Sequence, residues 1–207
     1  MKKLTVLLCA ILALAGAAHA AEEIAPQVLA WLGEDAVLLG ETREGNARVL
    51  SYRAQATEMT LSLEDDRPVR LEASAQGAVA ASTREEAEAA LAAIAPEALV
   101  LYAAQQEDGS QRLSFVAAAA AGWAQIADGR IAACELRFGD YLRDGRLTLN
   151  GAWEALVIHR PAAQISGLEM DEEDGMLIFE GDAVLEGTEY EFEIDAYSGR
   201  LLEWERD

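Results

Sequence analysis

The sequence predicts an α+β protein made of three tandem units, each a helix followed by four antiparallel strands, behind an N-terminal signal peptide. Large apolar residues alternate with acids from Thr188 to Asp195, which is the period of a strand with one buried and one solvated face. The segment 57–63 repeats the pattern of 188–194 position by position. Three glycines at equivalent hairpin tips lie 64 and 66 residues apart: Gly45, Gly109 and Gly175.

Residues 1–20 have the three parts of a secretory signal peptide in the expected order. Lys2 and Lys3 form a basic tip, residues 4–15 form an apolar core, and the small residues around His19 supply a cleavage motif before Ala21. The apolar core is too short to span a bilayer as a permanent helix, and no second hydrophobic run follows it. We therefore expect a secreted or periplasmic protein without a stable membrane span.

The first unit, residues 21–78, is expected to begin with a helix that ends at Gly33. Its apolar residues recur with helical spacing, so that Val28 and Trp31 share one face. Strands are expected near 36–42, 47–56, 57–63 and 69–73.

The second unit, residues 79–146, has the clearest helix signals. Ser82 or Thr83 caps the helix, two glutamates follow in its first turn, and Pro96 lies beyond its end. The alanine run 117–121 is assigned to strands from the repeat alignment alone, because Ala itself favours helix. The strands of this unit are expected near 98–105, 111–120, 122–127 and 131–138.

The third unit, residues 147–207, is expected to contain a short helix from Gly151 to His159 that stops before Pro161. In its last strand Leu202 and Trp204 are expected to face inward, against two outward glutamates. The strands are expected near 163–170, 176–185, 188–195 and 201–205. Four large aromatic residues are expected at inward positions across the chain: Trp31, Trp153, Tyr190 and Trp204.

The C-terminal hairpin resembles that of the PepSY domain family. The resemblance rests on Tyr190, Ile194 and Asp195 in one strand, Ala196 after it, and Gly199 in the turn. It implies a secreted or envelope-located module that binds or restrains an extracytoplasmic peptidase or another envelope protein. It also implies no catalytic residues, so we expect a protein that is not an enzyme.

The charge of the chain limits its partners. The net charge of −21 becomes −23 once the signal peptide, with the only two lysines, is removed. Such a chain has few cationic side chains that could replace the counterions around the phosphates of a nucleic acid, so nucleic acid is excluded as a partner. An anionic membrane surface is disfavoured for the same reason.

Candidate catalytic and metal-binding groups are scarce. His159 is the only histidine after the signal peptide, and it is interpreted as a structural or surface residue. Cys134 lies on the apolar side of a predicted strand and is expected to be a buried, inert thiol. The acids at 169–174 offer oxygen ligands to calcium, but their spacing is not that of an EF-hand and fits a solvated turn. No catalytic, cofactor-binding or metal-ligating residue is predicted.

The strongest candidate surface is an acidic sheet face. Its five predicted residues alternate with apolar residues in the last two strands: Glu189, Glu191, Glu193, Glu203 and Glu205. Such a face is expected to meet a basic surface of a partner protein. The alternative is a structural or sensory protein of the cell envelope, responsive to calcium and without an enzyme target.

Overall fold

The computed structural model describes residues 26–173 and 175–207, so the predicted signal peptide and the tip residue Asp174 lie outside the described residues. Three helices appear in this part of the chain: α1 (Pro26–Leu32), α2 (Arg84–Ile94) and α3 (Leu149–His159). The longer strands of the first two thirds are β1 (Val37–Glu44), β2 (Ala47–Ala54), β3 (Thr57–Glu64), β4 (Arg67–Ala75), β5 (Leu99–Gln105), β6 (Gln111–Val116), β7 (Ala120–Ala127) and β8 (Arg130–Phe138). A short hairpin of β9 (Leu142–Arg143) and β10 (Arg146–Leu147) precedes α3. The strands after α3 are β11 (Gln164–Ile165), β12 (Glu169–Glu173), β13 (Met176–Leu185), β14 (Thr188–Asp195) and β15 (Leu201–Arg206).

The strands form two main antiparallel sheets. The first has eight strands in the order β1-β2-β3-β4-β8-β7-β6-β5. Its two halves join where β4 pairs with β8, with Leu71 opposite Leu136. The second sheet has the order β11-β13-β14-β15, and β12 also pairs with β13. The predicted combination of helices with antiparallel sheet is confirmed, and the sheets of the first two predicted units are continuous.

The first hydrophobic core lies between the eight-stranded sheet and the helices α1 and α2. Trp31 of α1 stacks on Phe115 with ring centroids 5.5 Å apart. On α2, Ala87 and Leu91 are buried against the sheet. Helix α2 begins with the predicted cap, since the Thr83 side chain accepts a hydrogen bond from the Glu86 N–H and the Glu86 carboxylate accepts one from the Thr83 backbone N–H.

The second core joins the two sheets through α3. The helix contacts β5, β6 and β7 on one side and β14 on the other. Val116 and Ala121 of the eight-stranded sheet therefore share a cluster with Phe179 and Phe192 of the second sheet. Small residues on α3 allow this double packing, because both Ala152 and Ala155 are fully buried in the cluster and so present no large side chain to either sheet.

An ion pair also links α3 to the eight-stranded sheet. Arg137 of β8 lies 2.8 Å from the carboxylate of Glu154 on α3. Burial raises the pKa of the Glu154 carboxyl, and the Arg137 charge opposes that rise. The same burial, together with the charge of Glu154, raises the pKa of Tyr141 to about 12.

The strand prediction for the alanine run was wrong at residues 117–119. Strand β6 ends at Val116 and β7 begins at Ala120, so these three residues form the hairpin turn, whereas Ala120 and Ala121 lie in β7 as predicted. The turn is closed by a 2.8 Å hydrogen bond from the Ala117 N–H to the Ala120 carbonyl oxygen. Alanine is compatible with both strand and turn conformations, and residues 117–121 include no polar residue, glycine or proline that would indicate a turn.

Two predicted inward residues are exposed. A register shift in the β14–β15 pair places Ile194 opposite Leu201 and leaves Leu202 as the extra residue of a bulge, with 45% exposure. Trp153 is also 45% exposed, because α3 is packed between two sheets through small residues and has no room for an indole on those sides.

The strand predicted at 163–170 is divided in the structure into β11 and β12, with residues 166–168 between them.

Other predictions agree with the structure. Cys134 is 3% exposed, so its predicted burial is confirmed, and this burial raises the pKa of its thiol to about 12. The three tip glycines all have positive φ, as tight turns require: Gly45, Gly109 and Gly175. Within the described residues, no helix is long and apolar enough to cross a bilayer.

Candidate functional site

The second sheet has one face against α3 and one face toward solvent. The inner face carries the aromatic residues Phe179, Phe192 and Trp204. Trp204 stacks on Tyr190 with ring centroids 4.6 Å apart, and the Arg160 guanidinium lies 5.1 Å from the Trp204 ring centroid. Because side chains alternate along each strand, this buried row directs the intervening residues outward.

Most positions on the other face are acids, with Met176, Ile178 and Val184 of β13 as apolar exceptions, and the strand register aligns the acids in rows. One row crosses four strands and opposes Glu169 to Glu180, Glu180 to Glu193, and Glu193 to Glu203. A second row opposes Asp182 to Glu191 and Glu191 to Glu205. We call this surface the acidic face and define it by ten residues: Glu169, Asp171, Glu173, Glu180, Asp182, Glu189, Glu191, Glu193, Glu203 and Glu205.

The five glutamates predicted from the sequence all lie on the acidic face. The other five were missed, since β12 and β13 do not show a clean alternation. In β13 the alternation is interrupted by Gly181, which replaces an inward apolar side chain because a Cβ there would lie 2.1 Å from the carbonyl oxygen of Gly167. The sequence does contain a signal for them, because the acids at 169, 171 and 173, and those at 180 and 182, are two residues apart and so would share one face of a strand.

The charges of the acidic face have no cationic partners among the described residues: no salt bridge found there involves any of its ten carboxylates. The face is also concave, since a groove of about 430 Å³ runs across it from Gly167 to Glu203. Within residues 26–173 and 175–207, no group of three or more potential ligands is placed to hold a metal ion. The face therefore combines high charge density with a shallow concave shape.

Two carboxyl groups at the centre of the face have perturbed pKa values. Burial raises the pKa of Glu180, and the charges of Asp171, Glu169 and Glu173 raise it further. Burial also raises the pKa of Glu193, with a further rise from Glu203 opposite it. Like charges directly opposed across a strand pair are destabilising, so the face is held in its arrangement by the core beneath it.

Four of the five residues of the family pattern have contacts that stabilise the hairpin next to this face. Burial alone would raise the pKa of Asp195, but hydrogen bonds from Ser198 and the Tyr197 N–H lower it below its ordinary value. Gly199 has a φ of +67° in the turn, and its carbonyl oxygen lies 2.8 Å from His159 Nε2. Tyr190 and Ile194 lie on the inner face, where Ile194 is fully buried. His159 therefore has a structural contact, joining α3 to the turn.

Replacing Glu193 with Gln is expected to stabilise the protein at neutral pH. The raised pKa means that the folded state binds this proton more tightly than the unfolded state does. The ionised carboxylate therefore destabilises the folded state fully at any pH above the folded pKa, and this effect is absent well below the ordinary pKa of 4.5. We expect the variant to melt a few degrees higher at pH 7, and this difference to shrink as the pH falls through the folded pKa and to vanish near pH 3. Thermal unfolding across this range measures both.

The matched control is Glu64→Gln, which removes the same charge from an exposed strand end outside the acidic face. It should leave the melting temperature within about 1 °C of the wild type, as for a surface change of small free energy. An equal rise in both variants would assign the effect to net charge and not to the acidic face.

Comparison with known protein families agrees with this C-terminal architecture. Residues 152–205, which run from α3 to β15, match the model of PepSY, described as the peptidase propeptide and YPEB domain. The C-terminal segment of the chain is therefore a PepSY domain, and the predicted resemblance is confirmed. Domains of this family are typically propeptide-like regulatory modules without catalytic residues.

Two solved structures are similar to the chain at low sequence identity. The C-terminal domain of YpeB from Bacillus megaterium is 11% identical, with a TM-score of 0.39, over 84% of this chain and 91% of that one. A lipoprotein candidate from Clostridium difficile 630 is 10% identical, with a TM-score of 0.29, over 64% of this chain and 96% of that one. None of the curated proteins matches the chain.

Proposed function

We propose that this chain is a non-catalytic protein-binding module that acts outside the cytoplasm and uses the acidic face to hold a basic surface of another protein. The observation that carries the proposal is the set of ten carboxylates on one sheet face without an arginine partner among the described residues. A basic partner would relieve the repulsion between opposed carboxylates, so part of the binding free energy comes from removing an existing strain.

An extracytoplasmic peptidase is the leading candidate for the partner. Two observations support it: the PepSY match over residues 152–205, and the signal-peptide pattern in residues 1–20. Long-range attraction by the net charge would speed association with a basic protein. The module would restrain its partner by occupying a surface of it.

The first two thirds of the chain are proposed to be diverged copies of the C-terminal unit, with boundaries at 21–78, 79–146 and 147–207. Each range contains a helix followed by antiparallel strands, and each has a positive-φ glycine in its first long hairpin. In this arrangement the first two copies form a rigid platform through their shared sheet, and the third copy presents the acidic face.

The proposal is tested by capture of secreted proteins on residues 21–207 as bait. We expect the wild type to retain a peptidase in stoichiometric amount at low salt and to release much of it at moderate salt, because exposed charges are screened. The variant Glu189→Gln/Glu191→Gln/Glu193→Gln should retain little of it.

The matched control, Glu64→Gln/Glu97→Gln/Glu107→Gln, removes the same charge from exposed sites elsewhere and should behave like the wild type. Recovery of nothing, or of wall components alone, would contradict a role in restraining a peptidase. Equal loss by both triple variants would contradict the role of the acidic face.

A further inference from the structure

The geometry points to a binding mode for the partner: an extended basic peptide segment adds as an antiparallel strand to the free edge of β12. This inference rests on the proposed function, since it specifies how the acidic face takes hold of its partner. Three independent features carry it: an unmodified sheet edge, an apolar pocket beside that edge, and opposite chemistry on the two sides of the sheet.

The edge of β12 differs from the other sheet edges in the described part of the chain. Strands β1, β5, β11 and β15 also pair on one side only, as do the two strands of the β9–β10 hairpin. The pairings of β1, β5 and β15 contain a register shift, near Leu38, Val100 and Glu193 respectively. The pairings of β11 and of the β9–β10 hairpin extend over only two residue pairs each. Bulges of this kind disrupt an edge and discourage further pairing. The pairing of β12 with β13 runs without a shift over five residue pairs, so this edge remains a regular template.

The backbone of β12 offers hydrogen-bonding groups toward the open side. The Glu172 N–H is bonded only locally, to the carboxylate of Asp171 at 2.8 Å, which shows that it points away from β13. Residues two apart in a strand direct their backbone groups the same way, so the Met170 N–H points outward as well. An added strand would satisfy the Met170 N–H and the two outward carbonyl groups, and would replace the Asp171 carboxylate as the acceptor of the Glu172 N–H.

The two sides of this edge have opposite chemistry. On the outer side stand Glu169, Asp171 and Glu173 of the acidic face. On the inner side, where Glu172 is the one acid of β12, a pocket of about 370 Å³ lies between the α3 N-terminal region and β12. Its apolar wall is formed by Leu149, Leu168, Met170 and Phe179, and Arg143 and Arg146 also line it. Leu149 and Met170 are 53% and 50% exposed, so the pocket presents apolar surface to solvent. Successive side chains of a strand added to this edge would therefore lie alternately over the acidic face and over the apolar pocket.

The occupant defined by these surroundings is a segment in which basic and apolar residues alternate. Basic side chains would lie over the acidic face, and the intervening apolar side chains would enter the pocket. A second copy of β12 is disfavoured, because its sequence from Glu169 to Glu173 contains four acids and would oppose like charges. The edge is therefore protected against self-association while it stays open to a basic strand.

The experiment uses an acetylated and amidated heptapeptide of alternating lysine and valine with residues 21–207, at low salt. We expect this peptide to bind about tenfold more tightly than the segregated peptide with four lysines followed by three valines, since only the alternating one serves both sides. Amide exchange of Met170 and Glu172 should slow by about tenfold or more when the alternating peptide is bound.

Backbone methylation separates strand addition from attraction by charge alone. In an antiparallel pair, the peptide residues bonded to Met170 and Glu172 share the inner face and are therefore the valines. N-methylation of the valines should weaken binding by about tenfold or more, because those bonds are lost, whereas N-methylation of the lysines should leave it within about twofold. Met170→Pro should have the same effect as valine methylation, and Met170→Leu should bind like the wild type.

The outcomes separate this inference from the function on which it rests. Equal affinity for all the peptides, with changes spread over the acidic face, would overturn strand addition and leave charge-driven docking in place. Absence of binding by every basic peptide would overturn both. Because the peptide variants leave the protein unaltered, a folding defect in Met170→Pro would not rescue the inference from a negative peptide result.

Discussion

Replacing Gly151 with Ala is expected to lower the free energy of unfolding by about 3 kcal/mol or more, and the melting temperature by about 6–12 °C. A Cβ at this position would lie 2.0 Å from the carbonyl oxygen of Tyr141 and 3.0 Å from a methyl group of Leu147. Neither the Tyr141 backbone nor the helix can move freely, since the Thr148 N–H donates to the same carbonyl. The helix must therefore shift away from the Tyr141 backbone, and this shift disturbs its packing between the two sheets.

The sign of this effect is opposite to what helix propensity predicts. In an exposed helix, exchange of Gly for Ala is stabilising by about 1 kcal/mol. The control Asn150→Ala changes the neighbouring residue, which is exposed, and is expected to be neutral or slightly stabilising. Denaturant unfolding of both variants measures the difference. A stabilised Gly151→Ala variant would contradict the close packing of α3 between the two sheets.

Replacing Phe192 with Ala is expected to cost about 3–5 kcal/mol, the range found for removal of a buried aromatic side chain. Phe192 is 1% exposed, and its ring centroid lies 6.4 Å from that of Trp204. The second core also contains Val116 and Ala121 of the eight-stranded sheet, so the loss is shared between both sheets. We therefore expect a single unfolding transition at a lower temperature, measured by calorimetry and by tryptophan fluorescence together.

Tyr197→Ala is the matched control, because Tyr197 is 55% exposed in the neighbouring turn. Its free energy of unfolding should stay within about 0.5 kcal/mol of the wild type. Two separate transitions in Phe192→Ala, with the second unchanged from the wild type, would show that the PepSY domain and the eight-stranded sheet unfold independently. That result would contradict the shared core around α3.

The strands were predictable where alternation is strict and turns contain glycine. The bounds of β14 agree with prediction for this reason, and so do the hairpin tips at Gly45 and Gly109. The alanine run was not predictable, since Ala carries no preference that marks a turn. The bulge at Leu202 was not predictable either, because either leucine of the pair Leu201–Leu202 would satisfy the alternation.

The acidic face was half predictable. A clear alternation places Glu191 and Glu205 on one face, but the sequence contains no direct signal for which strands become neighbours. The pairing of β12 and β13 with β14 adds Glu180 and Asp182 to the face, and this depends on the register set by the core. The position of Trp153 depends on the same tertiary packing, because its exposure follows from the second sheet covering α3.

The central claim, that the acidic face holds a basic partner, is tested most directly by the association rate of a captured partner. We expect Glu189→Gln/Glu191→Gln/Glu193→Gln to associate about tenfold more slowly than the wild type at low salt, with the difference shrinking as salt is added. The control Glu64→Gln/Glu97→Gln/Glu107→Gln should keep the wild-type rate within about twofold. Equal association rates for all three proteins at low salt would contradict the claim.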